Sequence, residues 1–409
     1  MPPAEKHKNT PLELLRGLAA LAVLFAHLAI NYDCMGKTGW GHALGAWGIS
    51  AVVVFFMLSG VVIRLSTEGR GMSRAGFLYR RALRIIPIFF LACSLSLLVE
   101  RFCLDGKLTE GVVAGHYLFL ATLQGWIVEV TPANPALWSL TYEVAFYLAF
   151  AVCMGAGQKP KMAIWCLMGV IALCAYQAMQ VVPQYGQQLW SILAYSTIWL
   201  LGYFLVSLAR NRGIPFSLAI FSFGLVPMIS RTPVFGGYLD PGQHLLLALA
   251  TVPMFVYCLQ SERPAWPLKH YFVVWSVAIS ITSAITVWHL SQSASLAQNK
   301  YLYVLVPWGL LALSFPLDSV FRNTALGSVL GGVGLFLGGI SYALYVFHFP
   351  IILICKQAFG QNAHSLLVAI GATIVTSAIL EYYVQPRVIR RTKLWVAMVV
   401  PKPLRVRPE

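Results

Sequence analysis

Between Leu14 and Ile30 the chain reads LLRGLAALAVLFAHLAI, an apolar run broken by two ionisable side chains, Arg16 and His27. Inside a bilayer no water satisfies backbone N–H and C=O groups, so such a run is confined to a helix. At about 100° per residue, eleven residues return a helix to within about 20° of its starting direction. Arg16 and His27 therefore share one face, about 16 Å apart along the axis. Ionisable groups at membrane depth are costly and face bundle interiors or wet cavities. Taken singly, Arg16 reads equally well as a cytoplasmic-end anchor and His27 as a hydrogen-bonded packing residue. Sharing a face, they read as the wall of an active site.

The rest of the chain extends the same constraint. Of its residues 58% are hydrophobic and 11% charged, against about 25% charged in soluble domains. The expected fold is an all-α polytopic integral membrane protein, a bundle of about ten to thirteen transmembrane helices with no soluble domain. Candidate spans are 12–32, 44–64, 83–101, 135–156, 162–181, 189–209, 214–230, 243–261, 270–290, 301–320, 333–355 and 364–385. A further apolar stretch, 112–128, is interrupted by His116 and Gln124. The net charge of +15 does not point to nucleic acid. Its Lys and Arg sit mostly in short connections, where they set topology and meet anionic lipid. All fall on one side if 112–128 is re-entrant or interfacial, which places both termini in the cytoplasm. The first run is long and carries Arg16 and His27, so it reads as an uncleaved span rather than a signal. Residues 1–393 form one transmembrane domain and 394–409 a short cytoplasmic tail.

Eight cysteines lie mostly in apolar runs without a CxxC pair, so neither a disulfide framework nor a zinc site is expected. No HExxH pair occurs, and no metal is expected.

Three further stretches carry chemistry. Arg80 and Arg84 are four residues apart and Arg81 and Arg84 three, so all reach a common patch. Guanidinium forks bind phosphates bidentately; the plainer reading is a positive-inside anchor. Glu143, in PALWSLTYEVAFY from Pro135 to Tyr147, is a carboxylate in an apolar helix. It is expensive there unless protonated, paired or in water. Trp138 and Tyr142 are compatible with an interfacial aromatic belt. Ser341, Tyr345 and His348 follow i, i+4, i+7 on one helix face. Counting residues from the cytoplasmic end puts His27, His348 and Glu143 at similar depth in the outer half of the membrane. Ser59-Gly60 would allow close helix packing. Glu381, in the last span, is unpaired in sequence.

Together these stretches resemble the membrane-bound acyltransferase family 3, whose members O-acylate sugars on glycans, lipids and antibiotics. The resemblance rests on Arg16-x10-His27, the FFxxSG stretch Phe55–Gly60 and the RRxxRIxP stretch Arg80–Pro87. It continues through Trp138-Ser139-Leu140-x-x-Glu143-x-x-Phe146-Tyr147 and Ser341-Tyr342-x-x-Tyr345-x-x-His348-x-Pro350. One departure is Tyr383-Val384-Gln385-Pro386, where many members carry Ile-Glu-x-Pro. The resemblance implies a multi-pass protein of the inner (plasma) membrane with acyl-CoA, by default acetyl-CoA, as donor. The acceptor implied is a hydroxyl of a glycan or of a lipid-linked or glycosylated molecule. His27 would act as base or covalent relay, and Arg16 would position the donor or stabilise charge on its carbonyl. Glu143 would orient base or acceptor, and Arg80, Arg81 and Arg84 would hold CoA phosphates. Trp138, Ser139, Tyr147, Ser341, Tyr342, Tyr345 and His348 would line the substrate pocket. The rival reading is a transporter or flippase of a lipid-linked or sugar substrate, with the intramembrane ions as a proton relay.

Overall fold

A computed structural model describes residues 9–36, 47–122, 128–179, 187–209, 216–231, 239–260 and 324–399, with isolated positions between them. Among these residues the protein is all-α. Its strands are a parallel pair of two-residue segments, β1 (Ala121–Thr122) and β2 (Val128–Glu129). Nine helices in the described residues are long and apolar enough to cross a membrane. The stretch 214–230 falls largely within a sixteen-residue helix, Phe216–Arg231. The expected spans 270–290 and 301–320 lie almost wholly outside the described residues, as does Gln124.

The chain divides into two compact units. The first comprises Met1–Ser66 and Gly169–Gly338, the second Thr67–Met168 and Gly339–Glu409.

In the first unit α1 (Thr10–Asn31) begins where Asn9 caps it, its side chain accepting from the Leu12 amide, with Pro11 in the first turn. Both are features of a helix start, where orphan N–H groups need acceptors and proline loses nothing. The Asn9 amide also donates to the Cys258 carbonyl at 3.0 Å, which ties α1 to the helix Pro241–Leu259. The next long helix, α2 (Trp47–Thr67), packs on Gln187–Ala209 through two glycines. A Cβ on Gly60 would strike the Trp199 carbonyl and lie 2.8 Å from the Tyr203 nitrogen; one on Gly202 would strike the Met57 backbone. Each glycine thus accommodates the other helix's backbone, as small residues do at membrane helix contacts. The Trp199 indole donates to Ser59 Oγ at 3.1 Å, so the Ser59-Gly60 pair supplies both the gap and the bond.

The second unit is built on α3 (Arg74–Cys103), thirty residues capped by Ser73. At about 1.5 Å per residue it is about 45 Å long, well beyond the roughly 30 Å of bilayer hydrocarbon. Its arginine-bearing first turns have length to spare outside the apolar layer. The helix starts nine residues before the expected 83 and so carries Arg80, Arg81 and Arg84 on one continuous helix.

Residues 110–137 explain the status of 112–128. Helix α4 (Glu110–Tyr117) has eight residues, far fewer than the roughly 20 that a crossing needs. The chain then reverses at Phe119, whose φ is 58°. Tyr117 and Phe119 fasten the segment to α3 through a 2.7 Å bond to Ser94 and a stacked contact with Phe89. His116 is the hub. A carbonyl only accepts, so the 2.7 Å contact with Val112 O puts the proton on Nδ1, and Nε2 accepts from the Thr131 amide at 2.9 Å. Both ring nitrogens are used structurally, which removes His116 from the chemistry. His116→Ala would strand the buried Thr131 N–H and cost about 1–3 kcal/mol. The expected result is a lowered unfolding midpoint in detergent with turnover per folded molecule unchanged.

From the 3₁₀ turn Pro135–Leu137 the chain enters α5 (Trp138–Cys153). The second unit closes with the Gly339–Phe359 part of a long helix, α6 (Thr324–Phe359), followed by α7 (Ala363–Ile379), a π-helical turn at Leu380–Val384 and α8 (Gln385–Val399).

Candidate functional site

In the first unit α1 holds Arg16 and His27 on one face, both half-buried. Arg16 is paired one turn back: its Nη1 donates to both Glu13 oxygens, at 2.8 and 2.9 Å. Glu13 lies just outside the apolar run, so the intramembrane cation is charge-compensated from within its own helix. The pair is pressed against Gly338, where a Cβ would meet the Glu13 carbonyl and carboxylate. The His27 Nδ1 lies 3.0 Å from the Val23 carbonyl. That acceptor assigns the proton to Nδ1 and makes Nε2 the basic nitrogen of the neutral ring. Orientation of one ring nitrogen by a fixed hydrogen bond is how a histidine base is held ready.

The other candidates lie in the second unit. Glu143 accepts a hydrogen bond from Tyr147, four residues on. The Tyr147 ring lies beneath Arg81, with 5.7 Å from guanidinium carbon to centroid, and Phe77 flanks the same cation at 5.6 Å. Carboxylate, phenol and guanidinium thus form one relay of contacts from α5 to α3, and Arg81 is held by aromatic faces. Arg80 is exposed and Arg84 half-buried. Arg84 carries a partner that sequence spacing could not reveal: its Nη1 binds Glu381 at 2.6 Å and Gln385 at 3.2 Å. The structure therefore brings the three arginines onto one helix but gives each a different setting.

Tyr342 lies with its ring under Arg84 at 5.6 Å and donates its hydroxyl to the Ile85 carbonyl at 3.0 Å. It stands within electrostatic reach of Glu143 and Glu381 as well. Ser341, Tyr345 and His348 are all buried on their shared face. Tyr345 meets Ser139 at 2.8 Å and the Ala136 carbonyl at 3.1 Å. His348 directs Nδ1 to the carbonyls of Tyr345 and Leu344, at 2.7 and 3.2 Å, which again makes Nε2 the basic nitrogen. Trp138 and Tyr142 pack edge to face at 5.0 Å and are buried in protein. Protein covers both rings, which sets aside their plainer reading as interfacial belt aromatics.

One residue that braces this unit had no counterpart in the sequence reading. Asn134, fully buried, donates to Ser96 Oγ at 2.9 Å and to the Val346 carbonyl at 2.8 Å. It therefore joins α3, the start of α5 and α6. Its only sequence signal was an asparagine immediately before Pro135, which reads as a turn. Of the three groups expected at similar depth, His27 belongs to the first unit, Glu143 and His348 to the second.

Comparison with known proteins adds a second line of observation. A family profile described as "Acyltransferase domain" matches residues 9–288, more than half of the chain. Nodulation protein 10 of Rhizobium leguminosarum bv. viciae is 29% identical over 225 residues, covering 47% of this chain and 58% of that protein. Acyltransferase MdmB of Streptomyces mycarofaciens is 33% identical over 171 residues, 39% of this chain and 43% of its own length. Exopolysaccharide production protein ExoZ of Rhizobium meliloti (strain 1021) is 30% identical over 129 residues, 28% and 36% of the two lengths. The matched regions thus span between about a third and three fifths of these relatives. No solved structure matches.

Proposed function

Because this chain belongs to the acyltransferase family whose domain profile covers residues 9–288, we propose that it is a membrane O-acyltransferase. It takes an acyl group, by default acetyl, from acyl-CoA and passes it to a hydroxyl of a carbohydrate or of a glycosylated or lipid-linked acceptor. The observation that carries the reading is the His27 tautomer, with Nδ1–H held by Val23 O and Nε2 basic, on the Arg16 face of a membrane-spanning helix.

The chemistry balances with these groups. His27 Nε2 takes the proton of the acceptor hydroxyl while its oxygen bonds to the thioester carbonyl carbon. The carbon–sulfur bond then breaks, and the imidazolium returns the proton to the leaving thiolate. An imidazole can take a proton and return it through the same nitrogen, which suits it to both transfers. A covalent relay, in which Nε2 itself carries the acyl group, uses the same nitrogen. Arg16 has Nε and Nη2 hydrogens beyond those given to Glu13, which suits it to the oxyanion that develops on the carbonyl. Glu143 with Tyr147 orients the acceptor, Arg80 and Arg81 meet donor phosphates, and Trp138, Ser139, Ser341, Tyr342, Tyr345 and His348 shape the pocket. The name of the ExoZ relative, exopolysaccharide production protein, supports a carbohydrate acceptor. The reading places the protein in the plasma membrane with both termini cytoplasmic, so the acyl group would reach an acceptor on the far side.

Thioester cleavage separates this function from a transporter. Purified protein given acetyl-CoA and a hydroxyl-bearing glycan is expected to release free CoA thiol. An intact thioester, with glycan movement across proteoliposomes, would establish the transporter instead.

A further inference from the structure

Resting on the acyl-CoA reading above, we propose that Glu381 is a positioning residue: with Gln385 it holds one corner of Arg84 so that the opposite edge of the guanidinium faces the donor phosphates.

The geometry comes from a break in helical regularity. Between α7 and α8 the chain makes a π-turn, Leu380–Val384, closed by the Gln385 amide on the Leu380 carbonyl. Such one-turn widenings occur often at functional sites. Here the turn delivers two side chains to Arg84. Glu381, whose side chain is 3% exposed, binds Nη1 at 2.6 Å. Gln385, also buried, accepts from the same Nη1 at 3.2 Å and returns its amide to the Arg84 backbone carbonyl at 2.7 Å. Tyr342 supports the guanidinium from below and is itself pinned to the Ile85 carbonyl. The position of Arg84 is therefore set on one corner and one face.

What remains is directional. The Arg84 side chain is 40% exposed, and its Nε and Nη2 hydrogens have no protein partner among the described residues. Those two groups form the edge of the fork that matches a phosphate bidentately. A free arginine on a helix surface would lose rotamer entropy on binding a phosphate; one held at Nη1 has already lost it. The carboxylate lowers the net charge of the arginine patch, so its value lies in orientation. That makes the sign of its removal informative.

The test is a titration of CoA into the detergent-solubilised full-length protein, with KM and kcat for acetyl-CoA measured in parallel. Glu381→Ala makes the patch more positive, yet affinity for CoA is expected to fall about tenfold, as a rise in KM with kcat nearly unchanged. Glu381→Gln keeps an acceptor oxygen for Nη1 and should lose less than about threefold. Arg84→Ala and Arg84→Ala/Glu381→Ala should bind alike, because Glu381 acts through Arg84. Tighter or unchanged binding in Glu381→Ala would overturn the proposal, and so would a double variant weaker than Arg84→Ala alone. A loss matched by a lower folded fraction would overturn it too. If wild-type protein bound no CoA, the donor reading itself would fall, and that outcome is distinct from any difference between variants.

Discussion

His27→Ala is expected to reduce acyl transfer by about 10²–10⁴-fold, the usual contribution of a positioned acid–base group. Expression and the unfolding midpoint should stay close to wild type. The side chain is half-buried, and its hydrogen bond within α1 runs to a backbone carbonyl already used by the helix. That carbonyl keeps its helix partner when the ring is removed. His27→Gln, which keeps a polar side chain of similar reach but cannot shuttle a proton at neutral pH, should be as inactive as the alanine variant. If it retained more than about a tenth of wild-type turnover, the ring would be a hydrogen-bond donor rather than a base. Glu13→Gln gives the complementary result. It leaves Arg16 uncompensated at the membrane face, so the loss should appear both in stability and in rate.

Gly60→Ala is expected to have the largest effect on the fold. The added methyl has nowhere to go, because the atoms it meets are the Trp199 carbonyl and the Tyr203 nitrogen, and backbone cannot rotate aside as a side chain can. The helices must separate, at about 3 kcal/mol, the upper end of ordinary overpacking. Separation also stretches the bond from Trp199 to Ser59 and the contact of Arg64 with Tyr203, now 3.1 Å to the hydroxyl. Gly202→Ala should act alike, since its Cβ meets the Met57 backbone. The double variant should cost less than the sum of the two, because one separation relieves both collisions. Unfolding midpoints in detergent read this directly; full additivity would show that the two glycines pack independently.

Sequence spacing foresaw contacts made within one helix. The shared face of Arg16 and His27, the face of Ser341, Tyr345 and His348, and the position of Tyr147 one turn after Glu143 all follow from 3.6 residues per turn. So does the small-residue contact at Gly60, since a glycine inside an apolar helix has few other uses there. Contacts between distant parts of the chain were illegible. Arg84 and Glu381 are 297 residues apart and Asn134 and Val346 are 212, and no periodicity links them. The π-turn was hidden for another reason: Leu380–Val384 has ordinary helix-compatible residues, and the extra residue shows only in the hydrogen-bond register. Trp138 and Tyr142 were ambiguous in sequence because amphipathic rings suit a membrane interface and a protein interior equally well. The polar tip finds a partner in both.

Glu13 shows how a window can mislead. The apolar run was read from Leu14 onward, and the counter-ion of Arg16 stands one residue before that boundary. The first turn of α1 is where a carboxylate is also favoured by the helix dipole. One residue thus serves the helix start and the arginine together.

The most direct measurement is mass spectrometry of membranes supplied with isotope-labelled acetyl-CoA, wild type beside His27→Ala. The expected result is a labelled, alkali-labile ester on a glycan or lipid-linked sugar in wild type and none in the variant. Equal labelling in both would contradict the role given to His27. Absence of label in wild type, with longer acyl-CoAs also left uncleaved, would contradict O-acyl transfer itself.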